Sequence, residues 1–309
     1  GGNSRFKIRK VHYDKEGGLL DRLSSWQLVI KTIQEELTSC PLKNTILIDP
    51  DSRLSQLGVL PVIHHDHYCF FDSRSHKSYD SNMSMAELTN AWIDRVTGET
   101  DLHCPQVWLQ TSNVQKATIF CDKLKRIGTR RIIAINFGVG GNPRKKVGRL
   151  FEQKLLLSLL HEPQTVIVLD KGFGKEELNY ADSLINAVKD QGFSVQNARF
   201  SPDFKAELNW GVIGLQTRIG EIAAIIAQCD EFIGYDSACQ HIAAALGTPC
   251  LTIFAGSNNM RFIRRWSAFG KISSNIVHVD TLTDPTSIDV DDIIARIINE
   301  RRVKPQEFT

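Results

Sequence analysis

The sequence predicts an α/β fold built on a parallel sheet, and three observations carry this. Several short segments are apolar almost throughout: RRIIAINF at 130–137, TVIVLD at 165–170, EFIGY at 231–235 and PCLTIFAG at 249–256. Each of the first three leads into a segment of helical periodicity. Strands buried on both faces between helices belong to parallel sheets with both sides covered. A glycine-rich stretch, GVGGNPRKK at 138–146, follows the first strand. Sheets of this kind take their ligands there, outside the C-terminal ends of the strands.

The chain of 309 residues is long enough for about two domains. Its 42% hydrophobic and 23% charged residues are ordinary for a folded protein and exclude a disordered or fibrous one. Lys plus Arg number 37 against 35 acidic residues, a net charge of +2. A nucleic-acid partner would call for a marked basic excess, so none is expected, and membrane association is expected to be peripheral at most. No run of about 18 apolar residues occurs, so no spanning helix is expected. The N-terminus, GGNSRFKIRK, has neither an apolar signal core nor a starting Met. The seven cysteines are odd in number, widely spaced and never CxxC. That pattern speaks against a disulfide framework or a zinc ribbon and for a reducing, cytoplasmic setting.

The first part of the chain is less regular. WQLVIKTIQEELT at 26–38 has helical periodicity, and TILID at 45–49 reads as a short strand ending on Asp49. Ser84 with Glu87 three residues later is a capping box that opens a helix over 84–96. Another helix covers 112–126, and the boundary falls near 127–130, giving domains 1–128 and 129–288. Beyond it, strands are expected at 130–137, 165–170, 193–199, 212–216, 231–235, 249–256 and 274–280. Helices are expected at 149–161, 175–190, 218–229, 238–247 and 289–302. The last of these falls within 289–309, after the second domain.

The most informative stretch is EFIGYDSACQHIAAALGTPCLTIFAG at 231–256. A strand ends at Tyr235, Asp236 and Ser237 fall at the turn, and a helix of small residues starts at once. The free N–H groups and positive dipole end of that helix make a natural phosphate site. His241 lies one turn in. Taken singly, Asp-Ser before a helix is an N-cap and a histidine in an apolar helix is a core residue. The combination is far more specific than its parts.

This stretch resembles glycosyltransferase family 9, the ADP-heptose:lipopolysaccharide heptosyltransferases and their relatives. Members carry D-[ST]-G-x-x-H-x-A-A-A-L-G-x-P between two strands. Here it reads Asp236-Ser237-Ala238-Cys239-Gln240-His241-Ile242-Ala243-Ala244-Ala245-Leu246-Gly247-Thr248-Pro249. The preceding helix, Glu221 to Asp230, is similar to the family's as well. Ala238 stands where the family has glycine, a residue that lets backbone approach a phosphate closely.

The resemblance also bears on the glycine-rich loop, whose spacing is not that of a GxxxxGK[ST] phosphate loop. On its own, a basic glycine-rich loop is a solvated turn. The family has a Lys-Arg-Trp-Pro here that meets the donor diphosphate. This chain offers Lys145-Lys146-Val147-Gly148, with Gly140 and Gly141 exposing backbone amides before it. Lys145 is the closer match and Lys146 the fallback. VIVLDKGFGKEE at 166–177 is similar to a family turn, which implies that Glu176 or Glu177 faces the nucleoside.

Residues 46–57 look like a strand of the family's acceptor domain. The family's first glycine-rich loop, which carries the usual general-base Asp, has no counterpart, so the chain is expected to start inside the acceptor domain. The catalytic base is therefore unknown, with Asp14, Asp49 and Asp51 as weak candidates. Arg53, Arg74, His76 and Lys77 are able to hold an acidic acceptor, although a solvated surface is the better reading of each. Met83 and Met85 read as packing at a helix start. In His64-His65-Asp66-His67 adjacent ligands of an extended segment point to alternate faces, so no metal site is expected.

Together the resemblance implies a GT-B-like fold, two Rossmann-like domains facing across a cleft with the N-terminal one incomplete and the last helix, within 289–309, packing back across both. It implies inverting, metal-independent transfer of a heptose-like sugar from a nucleotide-diphosphate sugar, an ADP-sugar above others. The acceptor would be a glycan or a lipopolysaccharide-type glycolipid, and no cofactor is needed. Asp236, Ser237, Ala238 and His241, with the Lys145 loop, would hold the donor. Two other readings stay open: a nucleotide-sugar epimerase of the same fold, and a non-catalytic module that binds a nucleotide sugar.

Overall fold

The computed structural model describes residues 7–12, 14, 17–50, 61–72, 82–100 and 103–303. The chain divides into two compact units between His103 and Cys104. The change of pattern at GTRR predicts this boundary later, at 127–130. The helix at Thr111–Arg126 accounts for the difference, because its Ala117, Phe120 and Leu124 are fully buried in the core of the C-terminal unit.

The N-terminal unit contains helix α1 (Leu19–Leu37), strands β1 (Leu47–Asp49) and β2 (Tyr68–Phe70), and helix α2 (Met85–Thr97). The two strands pair in parallel, Leu47 opposite Tyr68 and Asp49 opposite Phe70. The α1 helix starts seven residues before the expected one. Its first residues, Leu19 and Leu20, are 64% and 78% exposed, so no pattern of buried positions marks them. The capping box before α2 forms in both directions: Glu87 N donates to Ser84 Oγ at 3.2 Å and Ser84 N to Glu87 Oε2 at 2.7 Å. Phe71, Leu88 and Trp92 make a small core, with Met85 packed against it.

The C-terminal unit is a seven-stranded sheet, parallel throughout. Its strands are β3 (Arg131–Asn136), β4 (Thr165–Asp170), β5 (Ser194–Arg199), β6 (Gly211–Gln216), β7 (Glu231–Tyr235), β8 (Cys250–Phe254) and β9 (Ser274–His278). Their spatial order is β5-β6-β4-β3-β7-β8-β9. Alternate side chains feed two cores, as the pleat dictates. Ile133 and Ile135 face α4 (Arg149–Leu159), α5 (Lys175–Asp190) and α9 (Val290–Glu300). Ile132 and Ala134 face α3 (Thr111–Arg126), α6 (Ile219–Ile226) and α7 (Ala238–Leu246). A short helix, α8 (Met260–Trp266), follows β8. The polar sequence of β5, SVQNAR, suits its place at the sheet edge.

The final helix α9 packs on α4 and β9, burying Ile293, Ile294 and Ile297 in the first of the two cores. All seven cysteines are free. Among the described residues no helix is long and apolar enough to cross a membrane.

The strand order fixes where a ligand can sit. From β3 the chain moves to β4, then out to β5 at the edge and back to β6 between β5 and β4, before crossing to place β7 on the other flank of β3. Connections therefore leave β3 and β7 in opposite directions, and the crevice between their C-terminal ends is the topological switch point. The loop at 138–146 and the Asp236-Ser237 turn are the two segments that emerge there.

Candidate functional site

Asn136 and Gly234 are register partners at the ends of β3 and β7. Asn136 shapes the first loop, its Oδ1 accepting from Gly138 N at 2.9 Å. Gly140 and Gly141 then turn the chain with φ of 61° and 83°, left-handed values that glycine adopts without steric cost. Asn142 caps a single 3-10 turn over Pro143–Lys145, accepting from Arg144 N at 3.2 Å. That turn aims Lys145 back across the crevice.

Lys145 Nζ meets Asp236 Oδ2 at 2.5 Å. The pair joins two segments 91 residues apart in sequence. Asp236 is 6% exposed, so its charge is held by defined partners rather than by water. Lys145 satisfies one oxygen, and Gln240 Nε2 donates to the other at 2.8 Å.

Ser237 is the N-cap of α7, with extended backbone and no side-chain cap bond. Its Oγ is enclosed and has no hydrogen-bond partner. The first amides of α7 lack intrahelical acceptors and carry the positive end of the helix dipole. Lys145 and these amides bring positive charge to one corner, which the paired Asp236 carboxylate offsets in part. Ala238, where glycine was the family expectation, is exposed at the first position of the helix. Gln164 is the one described non-glycine residue with positive φ, so the backbone at position 238 does not require glycine.

His241 is exposed on α7 beside this corner, with Nε2 3.5 Å from Gln240 Nε2. Partial burial of its imidazole lowers its pKa from the ordinary 6.5. The Asp236 carboxylate opposes that shift and the Lys145 ammonium reinforces it.

Lys146 points elsewhere. Its ammonium lies 4.3 Å from the centre of the Tyr180 ring, a cation–π contact. It lines a shallow hollow with Phe137, Gly138, Asp170, Glu177 and Tyr180. Of the two glutamates expected near a nucleoside, Glu177 borders this hollow and accepts from Phe173 N at 2.7 Å. Glu176 is exposed on the first turn of α5 and is not part of the lining.

Two buried carboxyls brace the corner, and neither is among the site residues expected from the sequence. Glu152, on the first turn of α4, is fully buried and takes a hydrogen bond from Tyr235 Oη at 2.9 Å. The same hydroxyl accepts from Val147 N at 3.1 Å, tying the loop to β7. Burial raises the Glu152 pKa above its usual 4.5, and burial with the neighbouring Glu152 raises that of Tyr235. Asp170, at the end of β4, accepts from Asn136 Nδ2 at 2.7 Å and Thr217 Oγ1 at 3.1 Å, and burial raises its pKa as well. A polar residue closing an apolar strand was the available signal for Asn136 and Asp170. For Glu152 no signal distinguished it from other first-turn acids.

In the N-terminal unit, Asp49 Oδ2 accepts from Tyr68 Oη at 2.8 Å in a buried position. Asp14 is exposed, and its carbonyl accepts from Gly17 N. Asp51, Arg53, Arg74, His76 and Lys77 lie outside the described residues. The expectation that His64, His65 and Asp66 point to alternate faces is corrected. A 3-10 turn at His65–His67 curls the segment, and one ligand atom from each of His64, His65 and Asp66 lies within 4.8 Å of the others. All three are exposed, and His67 Nδ1 is paired with Thr45 O at 3.0 Å instead.

The model of "Glycosyltransferase family 9 (heptosyltransferase)" matches residues 201–286, a span that runs from before α6 through β9 and holds the whole Asp236–Pro249 motif. Over this span the chain is similar to glycosyltransferase family 9.

The glycosyltransferase family 9 structure from Veillonella parvula DSM 2008 matches with a TM-score of 0.60 at 14% identity, over 94% of this chain and 81% of that one. An E. coli ADP-heptose lipopolysaccharide heptosyltransferase II structure matches with a TM-score of 0.52 at 13% identity, over 91% and 80%. At these identities the structural matches establish the fold, which is α/β of the GT-B-like class. No curated protein gives a significant sequence match. The Lys145 loop lies outside the 201–286 span, and its connection to the motif rests on the ion pair with Asp236. The family-model match over 201–286 supports a sugar transferase.

Proposed function

We propose that this protein is a glycosyltransferase that moves a heptose-like sugar from a nucleotide-diphosphate sugar to a glycan or lipopolysaccharide-type acceptor. The observation that carries the reading is the Lys145–Asp236 pair at the switch point, beside the open N-terminus of α7. An ADP-sugar is the favoured donor, in keeping with the donor named for the E. coli structure of this fold.

In the proposed reaction the bond from the anomeric carbon to the diphosphate oxygen breaks as a bond to the acceptor oxygen forms. The diphosphate leaves with the electron pair, and its growing negative charge falls on Lys145 Nζ and the first amides of α7. Fixed donors aimed at developing charge are the strongest single aid an enzyme gives to such a step. A carboxylate takes the proton of the acceptor hydroxyl. Asp14, Asp49 and Asp51 are the residues to mutate first in search of it. Attack on the face opposite the leaving group inverts the anomeric configuration. Lys145 and the helix N-terminus supply the positive charge that a metal ion provides in other transferases, so the proposal includes metal independence. A cytoplasmic setting also belongs to it, since seven free cysteines suit a reducing compartment.

The test has two steps. Calorimetry with ADP, UDP and GDP asks whether the site binds nucleoside diphosphates, with ADP expected to bind most tightly. Incubation with labelled ADP-sugars and a glycolipid extract then asks whether label is transferred as nucleoside diphosphate is released. No binding of any nucleoside diphosphate would overturn the donor-site reading, and binding without transfer to any acceptor would overturn the transferase reading.

A further inference from the structure

Behind Asp236 runs a chain of buried polar groups that the proposed reaction does not use directly. Gln240 is fully buried on α7 and Thr252 fully buried on β8. Thr252 Oγ1 donates to Gln240 Oε1 at 2.5 Å, and Thr252 and Ser274 hydroxyls lie 2.6 Å apart. Asn275 O, 3.0 Å from Ser274 Oγ, is a second acceptor that competes with Thr252 for the one Ser274 proton. The line Lys145–Asp236–Gln240–Thr252–Ser274 thus crosses from the loop after β3 to the edge strand β9.

The directions of the two bonds at the Gln240 amide are fixed by chemistry. An ionised Asp236 only accepts, so the Gln240 amide must turn its Nε2 toward it. Its Oε1 then faces Thr252, which must donate. Neither Gln240 nor Thr252 has another way to satisfy these atoms without leaving a buried polar group unpaired, an outcome more costly than the bond is favourable. The carboxylate is therefore held in one rotamer, with Oδ1 turned inward and Oδ2 presented to the crevice.

We propose that Gln240 is a positioning residue: anchored by Thr252 and Ser274, it locks the Asp236 carboxylate, which in turn fixes where the Lys145 ammonium stands beside the N-terminus of α7. Gln240 touches neither the crevice ligand nor the reacting atoms. Its consequence for donor binding rests on the diphosphate-site reading above, whereas the relay itself does not.

The experiment separates the two. Gln240→Leu removes the donor to Asp236, and Thr252→Val is a milder change of similar shape that removes only the anchor of Gln240. The full 309-residue chain carrying each is checked by thermal melting, and its lysines are then labelled competitively with an amine-reactive ester and read by mass spectrometry. Lys154, paired with Asp291 on the far side of α4, is the internal control. Lys145 labelling is expected to rise about three- to tenfold relative to Lys154 in Gln240→Leu, and less in Thr252→Val, as an ammonium freed from a fixed partner becomes available. ADP affinity is expected to fall by about three- to thirtyfold in Gln240→Leu.

Unchanged Lys145 labelling in a folded Gln240→Leu overturns the relay, whatever ADP does. If Gln240→Leu does not fold, unchanged labelling in Thr252→Val does the same. A rise in labelling in a protein that binds no nucleoside diphosphate supports the relay and overturns the donor reading instead. A folded Gln240→Leu that labels faster yet binds ADP as the wild type does overturns the link from Gln240 to the ligand.

Discussion

Gly256, at the end of β8, lies directly beneath the backbone of Arg144, so that a methyl group in its place would run into the Arg144 carbonyl and approach Lys145 N at 3.1 Å. Its φ of 73° is also one that other residues avoid. The β8 strand end thus serves as the floor on which the Lys145 turn rests. Gly256→Ala is expected to lower stability by about 1–3 kcal/mol, the range for a residue forced into a sparsely populated conformation. It is also expected to weaken diphosphate binding in the folded fraction, because the loop must lift. Gly140→Ala is the control. Its φ is 61°, but an added methyl meets nothing within 4 Å, so it strains the turn without pushing on Lys145's support. Melting curves and calorimetry on both variants check this; equal losses of affinity would mean that Gly256 does not support the loop.

Lys145 and Lys146 are neighbours in sequence that do different work. Lys145 pairs with Asp236, while Lys146 stands over Tyr180. Lys145→Ala should weaken nucleoside-diphosphate binding by about 1.5–3 kcal/mol, the range of a charge-assisted hydrogen bond. Lys146→Ala should cost less, since its ammonium is already engaged by an aromatic face outside the α7 corner. Lys145→Ala also strands the buried Asp236 carboxylate, so melting must be followed alongside calorimetry. A larger loss for Lys146→Ala would reassign the loop.

The parallel sheet was legible because β3, β4, β7 and β8 are apolar at nearly every position, a pattern that only a doubly covered sheet explains. Asp236 and Lys145 were legible through the motif and the loop, each from its own segment. Their meeting was also expected, since both segments follow strand ends. What stayed hidden depends on three-dimensional neighbours. Gln240 in its own sequence context is a polar residue on a helix of alanines, and only the closeness of Thr252 and Ser274 gives it an anchor. Glu152 reads as a helix-start acid until Tyr235 is found beside it. The His64-His65-Asp66 cluster was misjudged because a single 3-10 turn replaced the extended segment that alternation assumes.

Transfer is expected to proceed without a divalent cation. Lys145 and the α7 N-terminus supply positive charge at the switch point. Among the described residues, the one group with three close metal-ligand atoms is His64, His65 and Asp66, exposed in the N-terminal unit. EDTA treatment followed by the labelled-sugar assay should leave turnover unchanged. Loss of turnover that Mg²⁺ or Mn²⁺ restores would show that the charge is supplied by metal.

His241 offers a direct view of the charges around it. Burial and Lys145 lower its pKa below 6.5 while Asp236 pulls it up. In an NMR titration of the wild type, His241 should therefore change protonation below pH 6.5. Lys145→Ala should move its midpoint upward, since a repelling charge is gone. Asp236→Asn should move it downward, since the one stabilising charge is gone. A shift of the same sign in both variants would mean that general loosening, rather than these two charges, governs the imidazole.

Glu152 gives the fold a specific dependence on pH. Its carboxyl is fully buried against Tyr235, and burial raises its pKa above 4.5 in the folded chain. The folded protein therefore keeps this proton at pH values where the unfolded chain has released it. Stability from the group is fully present below pH 4.5 and is lost as pH rises from there through the raised folded value, because the folded state binds more protons across that window. The slope from one such group reaches about 1.4 kcal/mol per pH unit. Glu152→Gln keeps an oxygen for Tyr235 Oη and carries no titrating proton. Its stability, measured by urea unfolding at a series of pH values, should fall less steeply than that of the wild type across this window. Some slope should remain, since Asp170 is buried and raised in the same sense and is untouched by the substitution. Stability curves that run parallel for Glu152→Gln and wild type would show that Glu152 titrates alike in the folded and unfolded chains.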